Sequence, residues 1–179
     1  MALNANNALE AFIDRISRNS NIMNILKLPT ITNSDSSTIK NKKRKLLIDK
    51  VITKTAQVPE ELGKKFPEIV IDNIAYKNYG KIRMTIAFAS SIKMRSYLFG
   101  NPQIEINIYY DNTNMDNVLE LFDLISDEFS GQDIEIKVNN EKSILRQLKC
   151  EGITSQVAII NNYERVGIRF SYYATVYKN

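Results

Sequence analysis

A period of two in the apolar residues is the feature that most constrains the fold of this chain. In residues 81–89 and 103–111, isoleucine, methionine, phenylalanine and tyrosine alternate with polar or small residues. Residues 156–160 and 166–177 lie late in the chain, and a turn with two consecutive asparagines separates them. Because successive side chains of a β-strand point to opposite faces, the alternating runs predict half-buried strands. The last two segments predict an antiparallel hairpin.

Apolar residues at helical spacing predict three helices. Residues 7–18 form an amphipathic pattern, with Asn7 available as the N-cap. Residues 42–56 form a second pattern, whose first turn would carry four cations at the positive end of the helix dipole. That arrangement is unfavourable unless the helix starts later or an acidic partner faces it. A third helix begins at the capping-box sequence of Thr113 and Asp116. Its predicted apolar face consists of Val118, Leu121, Phe122, Ile125 and Phe129.

The segments between these elements are interpreted from local composition. Residues 29–41 are rich in serine, threonine and asparagine without a period, which is typical of a loop or linker. Residues 66–71 and 134–138 predict further strands, whereas residues 144–148 predict a short helical or irregular piece. The whole order predicts a single α+β domain over residues 42–179, with a mostly antiparallel sheet packed on one face by helices. Residues 1–41 are predicted to form an N-terminal helical arm and linker.

The composition removes several kinds of active site. The chain contains no histidine and a single cysteine, Cys150, which excludes imidazole-based catalysis, intrachain disulfides and zinc sites of several thiolates. No glycine-rich phosphate loop and no carboxylates at calcium-loop spacing are found. We therefore expect a protein that is not an enzyme and that has no cofactor or metal. No apolar run reaches the roughly 18–20 residues of a membrane span, and the N-terminus lacks a signal-peptide pattern, so we expect cytosolic synthesis and no membrane partner.

Charge is distributed unevenly along the chain. Residues 27–65 contain ten lysines and arginines against four acidic residues, whereas residues 111–151 contain four against ten. The two regions either form a head-to-tail contact between copies of the chain or are separate solvated faces of a monomer. The densest basic cluster is a candidate contact for phosphate or for an acidic partner. It consists of Lys42, Lys43, Arg44 and Lys45.

The order of the elements resembles that of one family of virus proteins. After an N-terminal helix come a strand opening with FPEIVI, two strands ending in IEINIYYDN, the helix MDNVLELFDLISDEF and the closing strand RFSYYATVY. Over residues 44–177, this order resembles the tail-terminator and head-tail joining proteins of long-tailed bacteriophages. The resemblance implies a virion protein whose copies form a hexameric ring on the last ring of the tail tube. It also implies that the ring stops tube polymerisation, contacts the head connector and lets genome DNA pass without specific recognition.

The resemblance suggests where neighbouring subunits would meet, and it transfers no catalytic residue. Residues 90–100 are implied to form a protruding hairpin that reaches a neighbour. The expected interface residues, which include aromatic residues of the closing strand, are Lys93, Arg95, Tyr97, Phe99, Tyr173 and Tyr177.

Other functions remain open at the level of sequence. Within phage structure, the chain could be a head-tail connector, an adaptor or a baseplate subunit. In a different class, a nucleic-acid-binding module would use the basic cluster, and its binding would fall steeply with salt. An enzyme that uses Asp, Glu or Lys also stays open, because a three-dimensional convergence of carboxylates cannot be read from one sequence.

Overall fold

The computed structural model describes residues 5–55, 57–60, 62, 69–71, 74–76, 82–88, 102–111, 115–138, 141–160 and 163–177. In these residues the order of elements is α1, α2, α3, β1 to β5, α4, and β6 to β8. The helices are α1 (Ala5–Arg18), α2 (Ser20–Ile25), α3 (Ser37–Lys50) and α4 (Met115–Phe129). The strands are β1 (Ile52–Thr53), β2 (Ile69–Ile71), β3 (Ile74–Tyr76), β4 (Ile82–Phe88), β5 (Gln103–Asp111), β6 (Ile134–Val138), β7 (Glu141–Ile160) and β8 (Tyr163–Tyr177).

Six of these strands form one sheet. Their order is β1-β4-β5-β8-β7-β6, and β2 pairs separately with β3. Every pair in the six-stranded sheet is antiparallel except β1 with β4, which is parallel. The predicted α+β class, with a mostly antiparallel sheet and an N-terminal helix, is confirmed.

The main core lies between one face of the sheet and the helices. The cross-strand partners Ile86, Ile106 and Ile168 are fully buried on this face. Phe12 of α1 stacks on Phe129 of α4, with ring centroids 4.3 Å apart and an interplanar angle of 13°. Helix α1 therefore packs into the same core as the sheet, and the predicted boundary between residues 41 and 42 falls inside α3.

The regular patterns of the sequence correspond closely to the observed elements. Strand β4 spans residues 82–88 of the predicted segment 81–89, and β5 spans residues 103–111 as predicted. The hairpin of β7 and β8 is confirmed, although β8 begins at Tyr163 rather than at Val166. The apolar face of α4 is buried at Val118, Leu121, Ile125 and Phe129. The capping residue Thr113 lies outside the described residues.

The start of α3 differs from the prediction. Its N-cap is Ser36, whose Oγ accepts a hydrogen bond from the backbone N–H of Ile39 at 3.3 Å, so part of the predicted linker is helical. The four cations of the basic cluster consequently lie beyond the first helical turn, where the dipole no longer opposes them. The helix ends at Lys50 rather than continuing to residue 56, since β1 begins at Ile52.

The prediction for residues 144–148 was wrong, because they belong to the long strand β7. A bulge lies between Arg146 and Lys149, and Gln147 adopts a positive φ of 52°. The Gln147 backbone N–H donates to Asp133 Oδ1 at 2.9 Å. An inserted residue interrupts the period of two, which explains why the apolar spacing resembles that of a helix.

Candidate functional site: charged surfaces, a strand edge and a cationic cleft

Two cations of the basic cluster are paired within the chain. Lys43 Nζ lies 2.8 Å from Asp35 Oδ2. The Arg44 guanidinium pairs with Glu10 of α1, and Arg44 Nη1 lies 3.7 Å from Asp14 Oδ1. Glu10 and Asp14 belong to α1, so their ion pairs with Arg44 connect α3 to the N-terminal helix. Asp35 lies in the turn before α3, so its pair with Lys43 is local.

The other two cations of the cluster face solvent. Lys42 and Lys45 are exposed on α3, and neither has a salt bridge within the described part of the chain. Their residue spacing of three places them on one side of the helix. The basic cluster therefore leaves two of its four cations exposed to solvent, and the other two are paired with carboxylates of the same chain.

We expect Arg44→Gln to lower the free energy of unfolding by about 0.5–1 kcal/mol, because the carboxylates it contacts are partly solvated. Lys45→Gln is the matched control on the same helix and should change stability by less than about 0.5 kcal/mol. Urea denaturation followed by circular dichroism compares the two variants. Equal effects would contradict the internal pairing of Arg44.

An acidic stripe runs along α4. We use this name for four exposed carboxylates whose spacing of four, three and four residues places them on one helix face. The residues of the acidic stripe are Asp116, Glu120, Asp123 and Asp127. None of them forms a salt bridge with another described residue, and the exposed side chain of Leu119 lies on the same helix. The acidic stripe and the exposed lysines of α3 are complementary in charge.

The predicted interface residues fall only partly within the described chain. Lys93, Arg95, Tyr97 and Phe99 lie outside the described residues, as does the predicted hairpin of residues 90–100. Tyr173 is on β8 and is 56% exposed. Tyr177 is the last residue of β8, and its side chain lies outside what the structure describes.

The outer edge of β7 is long. Strand β6 pairs with β7 only at residues 141–145, and the backbones of Gly131 and Gln132 bond to Leu148. Between Lys149 and Ile160, β7 pairs with β8 on one side, with irregularities between Cys150 and Gly152 and between Gln156 and Ile160. No described strand pairs with its other side. This edge is about 40 Å long at the usual rise per residue. As far as the described strands go, the outer side of this edge has no pairing, and such edges pair readily with another chain.

The sheet face opposite the helices is polar yet largely buried. In one row across the strands, Tyr109 of β5 lies between Arg83 of β4 and Arg165 of β8. In the next row Thr85 is opposite Asn107. Arg83, Thr85, Asn107 and Tyr109 are each less than 5% exposed. Within the described residues, Thr85 Oγ1, Asn107 Oδ1 and Tyr109 Oη have no hydrogen-bond partner.

This polar face was not predicted from the sequence. The same residues alternate with the core isoleucines, and such a pattern is typical of a strand face in water. The only available signal was the presence of three arginines at outward positions of β4 and β8, namely Arg83, Arg165 and Arg169. It could not show that these positions are buried.

An ion pair crosses the polar face. Arg169 Nη2 lies 2.8 Å from Glu105 Oε2, and Asn107 Nδ2 donates to Glu105 Oε1 at 2.9 Å. Burial raises the pKa of Glu105, but the hydrogen bonds from Arg169 and Asn107 and the charges of Arg169 and Arg165 outweigh it. The net effect is a pKa below the ordinary value for glutamate.

A cleft of about 450 Å³ lies beside this face, where α3 passes into β1. Lys50, Lys54 and Arg83 line it, together with Asp49 and Thr53. Lys50 and Arg83 are each only 2% exposed. Burial, followed by the charge of Arg83, lowers the pKa of Lys50 despite the opposing effect of Asp49. We call this feature the cationic cleft.

The described residues contain no group of three or more acidic or cysteine side chains arranged to hold a metal ion. None of the described helices is long and apolar enough to cross a membrane. No protein-family model matches the chain, and no curated protein shows significant similarity to it.

Proposed function

We propose that this chain is a structural subunit of a bacteriophage virion that assembles with copies of itself into a ring at the head-tail junction, as a tail terminator does. The resemblance in element order motivates the proposal. The observation that carries it is the outer edge of β7, where the backbone of residues 149–160 lacks a described partner strand. Proteins normally cover or blunt an edge of this length, because it pairs readily with another chain.

The partner that fits best is a second copy of the same chain. The exposed Lys42 and Lys45 on α3 and the acidic stripe on α4 lie on different elements. A contact that joins two unlike surfaces is head-to-tail, and head-to-tail contacts close into rings when the rotation permits. In this proposal the ring is hexameric, and its two outer surfaces contact the tail tube protein and the head connector.

The same features would suit a head-tail connector, adaptor or baseplate subunit, which would also use subunit-to-subunit edges. A nucleic-acid-binding module is supported less well. Lys43 and Arg44 are engaged with Asp35 and Glu10, so two of the four cations on which that function depends are occupied within the chain.

A pair of proline substitutions on β7 tests assembly through its edge. Consecutive backbone N–H groups of a strand point to opposite sides, so at residues 154 and 155 one N–H points to β8 and the other points to the outer edge. The register with β8 is regular here, because Thr154 is opposite Gly167 and Ser155 is opposite Val166. Proline removes the N–H at one side and is tolerated at a strand edge.

We expect one variant of the pair, Thr154→Pro or Ser155→Pro, to keep the stability of the wild-type fold and to lose association by about tenfold or more. The other variant should lose stability because it breaks the β7–β8 ladder. Light scattering after size exclusion, at low and high salt, measures the assembly, and thermal unfolding measures the fold. A wild-type chain that is monomeric under all conditions, or a stable variant that assembles as the wild type does, would contradict the proposal.

A further inference from the structure

Helix α4 presents an exposed face that is both acidic and apolar. Its carboxylates are the acidic stripe, and none of them forms a salt bridge within the part of the chain that the structure describes. Met115 and Leu119 border the acidic stripe one helical turn apart, and they are 50% and 51% exposed. An apolar pair beside a row of charges favours a protein partner over a purely solvated surface.

Helix α3 presents a surface of opposite charge. Lys42 and Lys45 are exposed, and neither forms a salt bridge with a described residue. Ile48, three residues after Lys45, lies on the same side of the helix and is half-buried. The acid of α3, Asp49, is exposed at the C-terminal end of the helix, beyond both lysines. The two helices therefore match in charge, and each offers an apolar side chain next to its charges.

The two surfaces belong to different parts of one copy. Helix α3 leads into β1, the strand at one edge of the six-stranded sheet. Helix α4 packs on β5 and β7, further along the sheet. Within the described chain, no ion pair joins the lysines to the acidic stripe. Complementary surfaces that are separate in one copy can meet between two copies, and the contact is then head-to-tail.

We infer that α4 of one copy binds α3 of the next copy, with Lys42 and Lys45 against the acidic stripe and with Ile48 beside Leu119. This inference rests on the proposed function, because it requires copies of the chain to associate, and it names a contact separate from the outer edge of β7. Opposite charges at an interface steer association and fix its register, and like charges placed there weaken it strongly. The contact should therefore weaken as salt screens it.

Charge reversal on either helix tests the inference. One variant carries Glu120→Lys with Asp123→Lys, and the other carries Lys42→Glu with Lys45→Glu. Each variant alone places like charges against each other and should associate at least about tenfold more weakly than the wild type at low salt. An equimolar mixture restores opposite charges at every contact between unlike copies, so we expect it to associate within about threefold of the wild type.

Light scattering after size exclusion measures the association, and circular dichroism shows that each variant is folded. Glu60→Lys is the control, because Glu60 is exposed outside both helices, and it should change association by less than about twofold. A wild-type chain that stays monomeric would overturn the proposed assembly and this inference together. If the wild type and the reversed variants assemble equally well, the inference alone fails, and the acidic stripe faces a basic partner other than this chain. Reversed variants that lose association without recovering it in the mixture would also overturn the inference alone.

Discussion

Phe12→Ala is expected to lower the free energy of unfolding by about 3–5 kcal/mol, the range for removing a large aromatic side chain from a core. The Phe12 ring is completely buried and stacks on Phe129 at 4.3 Å. It also lies 6.0 Å from the ring of Phe170 on the sheet. Removing it leaves a cavity at the point where α1, α4 and β8 meet, and the surrounding helices can close that cavity only in part.

Urea denaturation at a protein concentration too low for assembly measures this effect. Leu119→Ala is the control, because Leu119 is 51% exposed on α4 and its truncation should cost less than about 0.5 kcal/mol. The result also distinguishes two views of the N-terminal helix. An independent arm would leave the main unfolding transition unchanged in Phe12→Ala, whereas an integral helix shifts it as stated.

Arg169→Met is expected to cost about 1.5 kcal/mol at pH 7, the low end of the range for a hydrogen bond between charged groups. The Arg169 side chain is 36% exposed and that of Glu105 is 19% exposed, so solvent screens part of the interaction. The substitution leaves the Glu105 carboxylate half-buried with Asn107 as its remaining described hydrogen-bond donor. Most of the cost arises from the loss of the main charge partner of that carboxylate rather than from lost packing.

The cost should depend on pH in a defined direction. The pKa of Glu105 is lowered in the folded state, so its contribution to stability is present above the pKa of the unfolded chain and is lost as the pH falls through the lower folded pKa. Removing Arg169 should therefore cost most near neutral pH and progressively less below about pH 4. A double-mutant cycle with Glu105→Gln, measured at pH 7 and at pH 3, checks this. A coupling that is the same at both pH values would contradict the ionic origin.

Some elements of the fold could be predicted from the sequence and others could not, and the difference has physical causes. The strands β4, β5 and β8 were predictable because their core residues alternate without interruption, and the period of a strand is independent of its neighbours. Helix α4 was predictable because its apolar residues recur every three or four positions. In β7, by contrast, the bulge at Gln147 breaks the period, and pairing with β8 and β6 determines its conformation.

The candidate site was less predictable than the fold. Lys42 and Arg44 are close in sequence and equally basic, yet only Arg44 meets carboxylates of α1, because side chains two positions apart point in different directions on a helix. The cationic cleft depends on Lys50 and Arg83, which are far apart in the chain and meet only when β1 pairs with β4.

The class of fold, and the lack of histidine and of a second cysteine, could be read from the sequence, because periodicity and composition are properties of local segments. Which polar residues are buried became clear only from the tertiary structure. Alternation shows that Arg83, Thr85 and Tyr109 face away from the isoleucine core, but not whether water or protein lies beyond them. Burial is a property of the assembled chain, because it depends on segments that arrive from elsewhere in the sequence. For that reason the polar face and its cleft became visible only in the folded protein.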